Sequence, residues 1–124
     1  MNRIIYPLLC ILLTSGCMKP GKARISDYGP LVAIQGTLTP AAMLYKDPAP
    51  AEMEAQQAQK FEQERRLFQA AAGSYNRAHD LWGIHLQAIA LNEGKTYTLR
   101  QYRTALDKAL ADMTELQRAR GIQP

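Results

Sequence analysis

The residues best equipped for chemistry in this 124-residue chain are two histidines, His79 and His85, two cysteines, Cys10 and Cys17, and a few close carboxylates. The histidines are six residues apart. On an α-helix that separation turns them ~240° away from each other, so they cannot ligate one metal from one face as a spacing of three or four would. Ser26 and Ser74 sit in no Gly-x-Ser-x-Gly nucleophile elbow. Glu62 with Glu64, and Asp107 with Asp112, are paired carboxylates. They fall on open helical faces, with no apolar pocket to drive their pKa values apart. Gly94-Lys95-Thr96 has the tail of a phosphate-binding loop, but Ile89 stands where the earlier glycine belongs. No catalytic residue, metal ligand or cofactor site is assigned, and an enzyme is not expected.

The elements that carry these residues divide the chain in three. Residues 1–16 combine one positive charge, Arg3, an apolar run from Ile4 to Leu13 and a small-residue stretch. This is the layout of an export signal, and the run is shorter than the ~20 residues a membrane span needs. The ending Leu13-Thr14-Ser15-Gly16-Cys17 resembles the lipobox of bacterial lipoproteins. The resemblance implies cleavage before Cys17, acylation of its thiol and new amino terminus, and a lipid-anchored place in the cell envelope. Because Met18 rather than aspartate follows the cysteine, Gram-negative sorting rules would send it to the periplasmic face of the outer membrane. Cys10 would leave with the signal. No free thiol then remains for a disulfide, a metal or a nucleophile. One acyl chain anchors only marginally, at about 0.8 kcal/mol per buried CH₂, whereas the lipoprotein set of chains anchors firmly.

Of 15 Lys and Arg residues against 11 acidic ones, only Arg3 falls in the signal, so the mature charge changes from +4 to +3. That mild, dispersed excess does not make a nucleic-acid surface. Arg65-Arg66 and Arg118 with Arg120 could touch anionic lipid or wall polymer, but they read first as solvated helix faces.

Residues 17–50 contain prolines 20, 30, 40, 48 and 50 and glycines 21, 29 and 36, which argue against a long helix. This segment is expected to be an extended tether reaching on the order of 100 Å at ~3.3 Å per residue. Its Leu31–Leu38 stretch would either dock on a partner or fold back along the helices. Residues 51–124 are expected to form an all-α, coiled-coil-like antiparallel hairpin. The long helix covers about 51–91 and the shorter one about 98–120. Asn92-Glu93-Gly94-Lys95 supplies the stop, and Thr98-Leu99-Arg100-Gln101 has the form of a capping box. Phe61, Phe68, Tyr75, Trp82 and Ile89 recur every seven residues, with Glu64, Ala71, Ala78 and His85 between them. Leu99, Tyr102, Leu106, Ala109, Met113 and Leu116 alternate three and four apart, the pattern of a coiled-coil seam.

The second helix is too short to cover the first back beyond about Ala71. Phe61, Leu67 and Phe68, with Glu64 in the same seam, therefore lack a partner within the hairpin and form the expected partner-binding face. Its occupant would be another envelope protein, a second copy, or the tether itself. Tyr75, Trp82, Tyr97 and Tyr102 could make a sugar-stacking platform, although the seven-residue step from Tyr75 to Trp82 favours a core role. Three functions fit: an accessory subunit of an envelope or secretion assembly, a phage or plasmid exclusion or lysis lipoprotein, or a spacer bound to cell-wall polymer.

Overall fold

A computed structural model describes residues 25–122. The signal and lipobox readings, Cys17 included, lie outside the described residues. The described residues are all-α, with three helices: α1 (Ile25–Tyr45), α2 (Ala55–Leu91) and α3 (Lys95–Ala119).

Helix α2 holds 37 residues, about 55 Å at 1.5 Å per residue. Glu54 caps its start by accepting a hydrogen bond from the Gln56 amide at 3.0 Å. Neither Gly73 nor Gly83 interrupts it. It ends at Asn92, which takes the left-handed conformation at φ 56° and sends its amide back to the carbonyls of Ala88 and Ile89. Gly94, also at positive φ, then starts α3 at Lys95 rather than at the expected Thr98. The Thr98 hydroxyl does not cap the helix. It donates to the Lys95 carbonyl at 3.2 Å, inside the first turn. The three-residue turn sends α3 back along α2, which forms its largest interface.

Seam residues meet where the two helices touch. Ala71, Ala78, Trp82 and His85 are buried on α2, and Tyr102, Leu106, Ala109 and Leu116 on α3. Ser74 and Asp112, bonded through the serine hydroxyl and a carboxylate oxygen, tie the helices midway.

The expected tether is corrected over residues 25–45, which form a helix of 21 residues despite Pro30 and Pro40. Among the described residues the helices are therefore three, not two. Leu31, Ile34, Leu38, Ala41 and Tyr45 recur at steps of three and four, and all are nearly inaccessible to solvent. Each proline removes one backbone hydrogen bond, to the carbonyl four residues earlier. Those carbonyls belong to Ser26 and Gly36, both exposed, so solvent can replace the missing donors. Burying five side chains outweighs that cost, since each large one contributes ~1.5–3 kcal/mol.

Asp27 meets Tyr102 and Arg103 near the start of α3, and Tyr45 lies under Arg120 at its end. Helix α1 thus runs parallel to α3 and antiparallel to α2, completing a three-helix bundle. Among the described residues, no helix is long and apolar enough to cross a membrane.

If α1 is part of the core, Ile34→Ala should lower unfolding stability by about 2–5 kcal/mol, the usual cost of such a truncation in a well-packed site. Chemical denaturation followed by helical circular dichroism measures it, and an unchanged midpoint would return α1 to the status of a tether.

Candidate interaction surfaces

At the open end of the bundle, Tyr45 is the last residue of α1 and only 1% exposed. Its ring sits between Phe61 and Phe68, with centroid separations of 5.4 and 5.8 Å. Its hydroxyl donates to Glu64 Oε1 at 2.6 Å, and Arg65 Nε donates to its carbonyl at 3.0 Å. The Arg120 guanidinium lies 5.8 Å from the ring centre. Burial, reinforced by the bond to Glu64, pushes the Tyr45 phenol up to about 12. Glu64 is held on its other side by Lys60 at 3.0 Å. Beyond Tyr45 the chain remains tied to α2, where Glu62 accepts the Ala49 amide at 2.6 Å.

Phe61 and Phe68, which lack a partner within the hairpin, find one in the same chain. Helix α1 supplies it, in the fold-back alternative left open for the tether. Phe61, Glu64 and Phe68 meet at Tyr45, and Leu67 packs against the same core cluster. All four remain only partly buried. Immediately before Tyr45, Met43 is 72% and Leu44 52% exposed. Sequence reasoning missed these two because they belong to the segment taken for a tether. The signal that could have found them is the seam Leu31-Ile34-Leu38-Ala41-Tyr45, which leaves Met43 and Leu44 off the buried face.

At the other end the fixing groups are polar. Asp27, in the first turn of α1, is buried and pairs with Arg103 at 2.8 Å. Its carbonyl accepts the Tyr102 hydroxyl. Burial, with the nearby Asp27 charge second, raises the Tyr102 pKa. Tyr28 stacks on Trp82 at 5.4 Å, and Trp82 meets Tyr102 at 4.9 Å. Three of these aromatic residues, Trp82, Tyr102 and the partly buried Tyr75, thus belong to the core rather than to an open platform, while Tyr97 alone is exposed.

His85 is buried, with Nδ1 2.8 Å from the Thr98 hydroxyl. Burial lowers its pKa, Asp27 opposes that shift, and Arg103 adds to it. His79 is exposed beside Tyr75. Among the described residues, no three of His, Cys, Asp and Glu stand close enough to hold a metal ion. No family of proteins matches the chain, and neither does any curated protein or solved structure.

Two measurements probe these ends. Tyr45→Phe should cost about 1 kcal/mol for the lost hydrogen bond, whereas Tyr45→Ala, which uncovers both phenylalanines, should cost about 3–5 kcal/mol. Equal losses would mean that the ring does not organise the open end. For His85, the folded pKa lies below the unfolded value, so the unfolded chain takes up the proton first as pH falls. The stability it contributes is present above ~6.5 and declines below it. The thermal midpoint should thus drop between about pH 7 and about pH 5, and His85→Gln should make that drop shallower. A parallel fall in wild type and variant would assign the pH dependence to other groups.

Proposed function

We propose that this chain is a lipid-anchored envelope protein, held through Cys17, whose helical bundle serves as an interaction module for another envelope protein. The anchor rests on the export-signal layout and on the lipobox-like Thr14-Ser15-Gly16-Cys17. The interaction role rests on one observation at the open end. Helix α2 carries Phe61, Leu67 and Phe68 in its first half, all only partly buried, where Tyr45 contacts the two rings and Met43 and Leu44 beside it in sequence are exposed. Exposed apolar side chains gathered in one place are costly for an isolated soluble domain and ordinary at an interface.

We read the pairing of α2 and α3 as coiled-coil-like. The buried alanines Ala71, Ala78 and Ala109 allow close approach of the helices, and the heptad-spaced rings fill the remainder. The geometry limits where such a module works. Seven residues separate Cys17 from Ile25, so the bundle begins within about 26 Å of the lipidated cysteine, at ~3.3 Å per residue. That suits an accessory subunit of a membrane-bound assembly, or an exclusion or lysis lipoprotein acting at the membrane. It is less suited to a long spacer.

The test is site-specific photo-crosslinking in living cells from a probe at Leu44, with and without Cys17→Ser. A discrete heavier adduct that disappears with Cys17→Ser, together with loss of fatty-acyl labelling, supports both parts of the reading. A band at twice the chain's own mass would replace the foreign partner with a second copy. Unchanged membrane fractionation and labelling in Cys17→Ser would remove the anchor.

A further inference from the structure

Between α2 and α3, on a face to which α1 contributes no residue, lies a trough of about 660 Å³. That is within the ~300–1,000 Å³ usual for small-molecule sites. Its apolar floor comes from residues too small to fill it, Ala70 and Gly73 on α2 and Ala105 on α3. A Cβ at Gly73 would meet no atom within 4 Å. Larger residues at these positions would close the space, as the rings do along the opposite seam.

The charges around the trough are unevenly matched. Lys108 lies 3.1 Å from Asp112, whose carboxylate also accepts the Ser74 hydroxyl. This pair neutralises itself. Arg77 and Arg100 also line the trough, and among the described residues neither has a hydrogen-bond acceptor or an ion-pair partner. Two uncompensated guanidinium groups thus flank a mostly apolar channel. Guanidinium forks suit carboxylate and phosphate oxygens, and such contacts strengthen where apolar walls exclude water. Two apolar side chains also lie beyond Arg77, on the side away from Gly73 and outside the trough. Ile84 and Leu91 follow Arg77 at steps of seven, on the same side of α2, and both are exposed.

We infer that this trough binds an anionic single-chain amphiphile, with its carboxylate or phosphate monoester held by Arg77 and Arg100 and its alkyl chain along Ala70, Gly73 and Ala105. None of Phe61, Leu44 and Tyr45 lines the site, and it does not depend on lipidation of Cys17 or on the protein partner proposed above.

The experiment uses the full chain in isolated membranes and a photoreactive dodecanoate with a diazirine near the end of its alkyl chain, with adducts mapped by mass spectrometry. Adducts should fall between residues 70 and 77 and between 100 and 108. Dodecanoate and dodecyl phosphate should compete, and dodecanol and dodecyltrimethylammonium should not. Replacing both arginines (Arg77→Gln with Arg100→Gln) should reduce the yield about tenfold, the equivalent of one charge-assisted hydrogen bond. Gly73→Leu should abolish labelling by filling the trough. Its thermal midpoint should hold or rise, because leucine is the better helix former at an open position. Adducts gathered on Met43 and Leu44 or spread along the chain would overturn the inference. So would yields indifferent to the arginine replacements, which change exposed side chains and leave the core intact.

Discussion

Two helices lying side by side bury only the strip along which they touch, and everything else about this protein follows from how that shortage is met. In the α2–α3 hairpin the strip is rich in alanine, which brings the backbones close but withdraws little apolar area from water. Large rings at Phe61, Phe68, Tyr75 and Trp82 cannot all be enclosed by so narrow a contact. A third apolar helix laid along the hairpin resolves this. Leu31, Ile34, Leu38, Ala41 and Tyr45 form one ridge of α1, and all five are buried. Below about 70–80 residues a single core rarely supplies more than ~3–5 kcal/mol. The extra 21-residue helix therefore separates a marginal hairpin from a domain with an enclosed core.

How α1 is held explains why it takes one position. At one end the attachment is aromatic, with Tyr45 wedged between Phe61 and Phe68. At the other it is polar, with Asp27 engaging Arg103 by its carboxylate and Tyr102 by its carbonyl. An apolar ridge alone could slide by a turn along an apolar groove with little loss. A buried carboxylate shifted by one turn would lose its cation, and a buried charge left unpaired costs several kcal/mol. The two ends together therefore fix register, while the ridge between them supplies most of the cohesion. No buried side-chain nitrogen or oxygen among the described residues lacks a hydrogen-bond partner, so these polar fixtures do not weaken the core they position.

The all-α class, the antiparallel pairing of α2 with α3 and the left-handed stop at Asn92 were legible in the sequence. Heptad spacing and the Asn-Glu-Gly turn report local geometry that tertiary context does not override. Helix α1 was not read, for an identifiable reason. Pro30, Pro40, Gly29 and Gly36 are strong local signals against helix, and Asp27 is the only charged residue in the element. With few polar residues to mark an outer face, the apolar stripe has little contrast, although its three-and-four spacing is as regular as that of α3. Propensity is a weak prior, and burial of five ridge residues outweighs two lost backbone bonds. Helix α3 starts three residues before the position that a Thr98 cap implies. The Thr98 hydroxyl instead serves His85 and Lys95, a tertiary role with no local signature. Of the candidate surface, the nearness of Phe61, Glu64 and Phe68 follows from their steps of three and four on α2. Coverage by the preceding segment was legible only as one of three alternatives, because Tyr45 lies 16 positions before Phe61 and nothing local shows that a segment with two prolines is helical.

Placing α1 in the core also changes what an anchor at Cys17 would do. A tether of more than thirty residues would let the bundle search a wide volume, and its orientation would be free. With α1 folded against the hairpin, an anchor at Cys17 would have at most the seven residues before Ile25 as slack, and would be joined to the end of the bundle that holds Asp27, Trp82 and Tyr102. Because α1 runs antiparallel to α2, the opposite end carries Tyr45, Met43, Leu44 and the start of α2. At 1.5 Å per residue, the 21 residues of α1 separate these two ends by about 30 Å. A membrane attachment at one end would then direct the incompletely covered apolar cluster away from the membrane. That is the position from which a short, rigid module reaches a neighbouring protein by its fixed length, without needing a flexible arm.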